Sequence, residues 1–178
     1  DALLIAKPRK AFTDKEKVIL DQYIMNGGKT LWMIDGVNAE MDTLYQAKKI
    51  MAYPYETNLN DFFFNYGIRI NTGLVKDLQK SALIRIVSGE VAGNPQYSSF
   101  LWPYYPLGIS EKNNHPITKN INPVKFEFPT SIDILKRPGI NATVLFETSE
   151  KTVINPVPNY ISLSEIVKAD SISAFEKA

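Results

Sequence analysis

DALLIAKPRKAFTDKEKVILDQYIMNGGKTLWMIDG, residues 1–36, is the stretch that decides the predicted fold. Residues 3–6 form a short continuous apolar run, and residues 30–34 form a second strand pattern whose apolar run follows Thr30; such runs are typical of strands buried on both faces of a parallel sheet. Between them, Thr13-Asp14-Lys15-Glu16 has the pattern of a capping box, so a helix is predicted to begin there, and Gly27-Gly28 ends it. Strand, helix and strand in this order predict a βαβ unit with parallel strands and a right-handed crossover.

The rest of the chain carries further strand and helix patterns. Apolar residues at helical spacing predict a helix at residues 58–66, and a less regular helical pattern covers residues 39–51. Strand patterns occur at residues 68–70, 82–87, 124–128 and 142–146. The prolines and glycines of residues 91–116 predict a loop-rich insertion. The predicted fold class is therefore α/β, with a mostly parallel sheet flanked by helices and one loop-rich insertion.

Composition excludes several classes of function. The 178 residues include 20 lysines and arginines and 19 aspartates and glutamates, so the formal net charge is +1. This balance creates no large field that would attract nucleic acid or an acidic membrane surface. The chain has no cysteine, which removes thiol nucleophiles, disulfides and zinc–thiolate sites. No apolar run approaches the ~20 residues that a transmembrane helix needs.

The domain organisation follows from length and from the first residues. A chain of 178 residues fits a single domain. It starts inside a predicted core strand and without an initiator methionine, so we expect residues 1–178 to be one domain excised from a longer protein.

Catalytic chemistry has one candidate, the only histidine, His115. A serine–histidine pair would be the remaining familiar nucleophile system, but no Gly-x-Ser-x-Gly elbow presents a serine. His115 lies in Asn113-Asn114-His115-Pro116, and the favoured interpretation is a side chain that fixes a turn. The sequence therefore predicts no catalytic residue, no metal site and no cofactor.

Polar residues that follow predicted strands are the candidate ligand site. Lys7, Asp35 and Asn38 follow the first two strands, and Thr148 and Ser149 follow the strand predicted at residues 142–146. Ligands of open parallel sheets bind at the carboxyl ends of the strands. Ordinary turn chemistry is the alternative, because aspartate–glycine and proline suit sharp exits from a strand.

Trp102-Pro103-Tyr104-Tyr105-Pro106 is the most unusual stretch of the chain. Its prolines exclude a helix interior or a central strand, so an aromatic loop is predicted. Trp102, Tyr104 and Tyr105 are candidates for a partner-binding surface, since aromatic side chains anchor interfaces at a low entropic cost. A loop that folds over the core is the alternative, and both interpretations stay open.

A series of segments in a fixed order gives the chain a family resemblance. They are DALLIAKP (1–8), LDQYI (20–24), GGK (27–29), IDGVNAEMD (34–42), NLND (58–61), YGIRIN (66–71), WPYYPL (102–107), HPIT (115–118) and LFETS (145–149). Their order resembles the auxiliary-component family of uncharacterised ABC transport systems. Within that family, the nearer resemblance is to the gliding-motility-associated GldG components of Bacteroidetes.

The resemblance implies a membrane-anchored parent protein with this region on the periplasmic, extracytoplasmic side. Its implied partners are an ABC permease and an ATPase, GldF-like and GldA-like, while the charge balance already argues against a nucleic acid. It also implies a flavodoxin-like or class I glutamine-amidotransferase-like fold, although the amidotransferase nucleophile is a cysteine and this chain has none. Chains of the family continue beyond the point that corresponds to Ala178, so truncation at both ends is expected.

These observations lead to one main functional hypothesis and two rivals. We expect a non-catalytic extracytoplasmic domain of an ABC transporter auxiliary subunit that binds partner proteins or the transported substrate. The first rival is a small-molecule or glycan-binding domain with its site at the strand ends. The second rival is a hydrolase that uses His115 or paired carboxylates.

Overall fold

The N-terminal βαβ unit is present as predicted. The computed structural model describes residues 1–110 and 115–166. Strand β1 (Ala2–Ala6), helix α1 (Asp14–Met25) and strand β2 (Lys29–Met33) follow one another, and the two strands pair in parallel. Thr13 and Glu16 form the reciprocal capping box, and Gly27 has a left-handed φ of 86° just after the helix. The local sequence signals therefore gave the order and the pairing of this unit correctly, but its strands are not buried on both faces as predicted, since Leu4 is 57% and Leu31 59% exposed.

The remaining elements are mostly strands. Two further helices are short, α2 (Met41–Ala47) and α3 (Asn60–Asn65), and a 3-10 helix covers Leu163–Glu165. The strands are β3 (Val37–Asn38), β4 (Lys49–Pro54), β5 (Ile68–Asp77), β6 (Ser81–Val91), β7 (Asn94–Gly108), β8 (Val124–Lys125), β9 (Thr130–Ile134), β10 (Thr152–Pro156) and β11 (Asn159–Ser162). Across the described residues, no helix is both long and apolar enough to cross a bilayer.

The predicted fold class, a mostly parallel flavodoxin-like or amidotransferase-like α/β sheet, is wrong. Strands β1 and β2 form a two-stranded sheet that no other strand joins in the described part of the chain. The other strands form three antiparallel sheets, in the orders β10-β5-β9, β11-β4-β3 and β6-β7-β8. Parallel pairing needs a long crossover, whereas β6 and β7 are joined only by Ala92-Gly93, whose φ angles of 51° and 79° suit a tight hairpin.

Two segments differ from their predicted structure. The predicted loop at residues 91–116 contains the longest strand, β7, and the predicted strand at residues 142–146 forms none. Pro103 is tolerated in β7 because the pairing with β6 is interrupted around it: Ser81 lies opposite Pro106, but Leu83 lies opposite Leu101. Pro103 falls inside that irregularity, where no regular ladder hydrogen bond is required.

Two hydrophobic clusters stabilise the described part of the chain. The first joins the antiparallel sheets and is built around Trp102, Tyr104 and Phe128. The second holds the βαβ unit against α3: the Trp32 ring lies 5.6 Å from that of Phe62 and 5.0 Å from that of Phe63. The exit of β2 is therefore fixed in position by large aromatic contacts.

Candidate functional site

The ends of β1 and β2 open into a cleft of about 200 Å³, here called the N-terminal cleft. Its charged side chains are Lys7, Asp35, Glu40, Asp42 and Glu127, and Phe128 also lines it. Lys7 Nζ lies 3.5 Å from Asp35 Oδ2. The prediction that Lys7 and Asp35 meet at the strand ends is thus consistent with the parallel register of β1 and β2.

Asn38 belongs to a hydrogen-bonded chain beside this cleft and does not line it. Tyr55 Oη donates to Asn38 Oδ1 at 3.0 Å, and the Asn38 amide donates to Tyr53. Arg9 donates to Tyr55 and, at 2.7 Å, to Glu40. Partial desolvation lowers the pKa of the Arg9 guanidinium, but Tyr55 and Glu40 outweigh it and hold the pKa above its usual value. This chain of contacts orients Glu40 at the rim of the cleft.

Thr148 and Ser149 line a different cleft of about 290 Å³, together with Gln79, Lys80 and Glu147. Ser149 is engaged structurally, because its Oγ donates to the buried carboxylate of Asp77 at 2.6 Å. Thr148 Oγ1 accepts a hydrogen bond from Thr152 at 3.0 Å. The five predicted ligand residues therefore do not form one site. The prediction placed them on the rim of one parallel sheet, and that sheet does not exist.

The buried Asp77 carboxylate holds together the backbone around the cleft that Thr148 and Ser149 line. Its side chain is 1% exposed and accepts hydrogen bonds from the backbone amides of Gln79 (2.9 Å), Lys80 (2.8 Å) and Ser149 (2.8 Å). With the Ser149 hydroxyl, the carboxylate has four donors. It ties the turn after β5 to the segment that precedes β10, so its role is to join two parts of the chain.

The aromatic side chains of residues 102–105 are buried and not exposed at the surface. Trp102 and Tyr104 are 0% exposed and Tyr105 is 4% exposed, so none of the three offers a surface to a partner in this structure. Burial is the main cause that raises the pKa of both the Tyr104 and the Tyr105 phenol. The nearby Glu165 raises the pKa of Tyr104 further, and Glu127 does the same for Tyr105. The partner-surface prediction is corrected, and the alternative interpretation, packing in the core, describes these residues.

His115 stabilises a turn. Its Nδ1 accepts a hydrogen bond from the backbone amide of Ile117 at 3.2 Å, and its carbonyl accepts from the amides of Thr118 and Lys119. Asn113 and Asn114, which belong to the same predicted turn, lie outside the described residues. Within residues 1–110 and 115–166, no group of three or more histidine, aspartate or glutamate side chains is arranged to hold a metal ion.

Comparison with known proteins identifies the family. The profile of the family described as ABC-type uncharacterized transport system matches residues 1–177. The chain belongs to this family. No curated protein and no solved structure matches it significantly. As a member of an ABC transport auxiliary family, the chain has a transport-associated role and associates with transporter components.

Sequence reasoning found part of the N-terminal cleft of this ABC transport auxiliary chain and missed the rest. Glu40 and Asp42 follow the Asp35-Gly36 exit closely, so their proximity was a usable signal. Glu127 comes from a distant segment, just before the start of β9, and no local pattern relates it to Lys7. Gly36 permits this approach, because a Cβ at its position would lie 2.6 Å from Thr130 Oγ1.

Proposed function

We propose that this chain is the extracytoplasmic domain of a GldG-like auxiliary subunit of an ABC transporter, and that it works by binding rather than by catalysis. Its ligands are partner proteins of the transporter or the transported substrate. Membership of the ABC transport auxiliary family over residues 1–177 supports the transport role. The gliding-motility assignment and the periplasmic location are supported by the order of the segments from DALLIAKP to LFETS.

The main observation in favour of a binding role is the amount of exposed apolar surface. Among the described residues, twenty-five large hydrophobic side chains are exposed, whereas sixteen hydrophobic residues are buried. The exposed set includes neighbours on the outer face of the β1–β2 sheet, Leu4, Leu31 and Met33. Parallel sheets normally have both faces covered, and contiguous exposed apolar surface marks interaction sites.

Copurification tests this proposal. The full-length parent protein is tagged, extracted from native membranes in a mild detergent and analysed by mass spectrometry. We expect a GldF-like permease and a GldA-like ATPase to be enriched over an unrelated tagged membrane protein. Failure to recover either component, with the parent itself recovered intact, would count against the proposed function.

Ligand binding in the N-terminal cleft is the second candidate function. It is favoured by the position of Lys7 and Asp35 at the ends of two parallel strands, beside a cleft of about 200 Å³. If it holds, a library of glycans and small metabolites will contain a compound that raises the melting temperature saturably. Asp35→Ala is expected to abolish that shift, while Asp133→Ala, which removes an exposed acid outside the cleft, keeps it. An equal shift in both variants would rule out this site.

A further inference from the structure

The outer face of the β6–β7 hairpin has an unusual composition. Leu83 lies opposite Leu101, Arg85 opposite Ser99, and Val87 opposite Tyr97. Residues directly opposite each other, and residues two apart along a strand, share one face of a sheet. These six side chains therefore form a single surface, here called the arm face.

Exposure shows which way this surface points. Ile84, which alternates with the arm face, is 4% exposed and packs in the first hydrophobic cluster. On the arm face, Leu83 and Val87 are each 56% exposed and Tyr97 is 61% exposed. The solvent face of an antiparallel sheet is normally polar. Here apolar side chains occupy four of the six outward positions, so the arm face has the composition of a covered surface.

Arg85 supplies the charge in the middle of this apolar surface. Its backbone carbonyl accepts a hydrogen bond from Tyr45 Oη at 3.2 Å. Its guanidinium forms no ion pair or hydrogen bond with any residue of the described chain. Some other cations of the molecule have such partners, as Arg69 has Asp133 and Lys76 has Glu165. A negative charge opposite Arg85 would therefore make a covering surface complementary to the arm face.

This charge argues against a second copy of the chain as the occupant. A two-fold contact centred on Arg85 would place the two guanidinium groups opposite each other, and like charges in opposed positions are destabilising. An acidic side chain flanked by apolar residues would instead pair with Arg85 while its neighbours contact Leu83 and Val87. The outer face of the β1–β2 sheet gives a weaker signal, because its charge, Lys29, lies at the end of the strand and not between the apolar side chains.

We propose that the arm face is the docking surface for a protein partner within the transport system that presents an acidic side chain between apolar ones. This inference rests on the proposed function, since it names the surface through which the domain binds a transporter component. Arg85 provides specificity through charge complementarity, and the four apolar side chains provide the buried area.

Site-specific photocrosslinking tests the docking surface. A benzophenone amino acid replaces Tyr97 in the full-length parent protein, cells are irradiated, and crosslinked peptides are identified by mass spectrometry. We expect a crosslink to a transporter component close to an aspartate or glutamate. Arg85→Glu should lower the crosslink yield about tenfold, the effect of a loss near 1.4 kcal/mol. Charge reversal of the identified acid should restore the yield in the Arg85→Glu background.

Matched controls distinguish a failure of this inference from a failure of the proposed function. Lys136→Glu reverses an exposed charge outside the arm face and should leave the yield unchanged. The inference is overturned if Arg85→Glu has no effect, if the crosslink joins two copies of this chain, or if none forms while the transporter still copurifies. The proposed function fails instead if the wild-type parent recovers no permease or ATPase at all. Equal melting temperatures of wild type and Arg85→Glu would verify that the fold is intact.

Discussion

Asp77→Ala is expected to lower the free energy of unfolding of this domain by about 3 kcal/mol. The Asp77 carboxylate is buried and accepts hydrogen bonds from three backbone amides and from the Ser149 hydroxyl. Alanine would leave these donors without their acceptor, and buried donors that lose a charged acceptor are costly. Urea unfolding followed by circular dichroism measures the difference.

The control for Asp77 is an acid that is also paired but exposed. Asp133 forms its ion pair with Arg69 at the surface, which also lowers the pKa of the Asp133 carboxyl below its usual value. Asp133→Ala should therefore cost clearly less stability than Asp77→Ala, because exposed ion pairs contribute little to folding. If the two variants lose equal stability, Asp77 does not join the β5 turn to the segment before β10.

Trp102→Ala should cost about 3–5 kcal/mol, in the range observed for large aromatic side chains truncated in a core. Trp102 is fully buried, and its ring lies 5.3 Å from that of Tyr104 in the first cluster. The truncation leaves a cavity where the antiparallel sheets meet. Thermal or urea unfolding of the purified variant gives the loss directly.

Trp102→Phe refines this result. The Trp102 Nε1 group is buried without a hydrogen-bond partner among the described residues, so phenylalanine removes an unsatisfied donor together with part of the ring. We expect a clearly smaller loss than for alanine. If Trp102 belonged to an exposed loop, both variants would instead fall within ~0.5 kcal/mol of wild type.

The parts of the fold that could be predicted depend on local signals. The capping box at Thr13 and the glycine stop after the first helix act through contacts between neighbours in sequence, so they are readable without a structure. Sheet topology depends on which distant strands pair. The two strands of the βαβ unit suggested a parallel sheet, but β5, β6 and β7 pair in antiparallel fashion with other partners.

The candidate site, like the fold, is predictable from the sequence only in part. Lys7 and Asp35 end consecutive parallel strands, so their proximity followed from the βαβ geometry. Thr148 and Ser149 were assigned to the same rim through a strand that does not form. The prolines beside Trp102 predict a loop, whereas an interruption in the β6–β7 ladder lets the strand include Pro103. The error at Trp102 involves the pairing of distant segments, whereas the error at Thr148 and Ser149 comes from a strand pattern that forms no strand.

The central claim is that this domain binds the transporter in its folded state, and one comparison tests it most directly. The full-length parent is recovered from native membranes as wild type and as Asp77→Ala, and the permease recovered per parent molecule is quantified by mass spectrometry. We predict that the permease is enriched with the wild type and that its recovery falls as the variant domain unfolds on mild heating. Equal recovery with the unfolded domain would contradict the claim, because the domain would then not be the binding element.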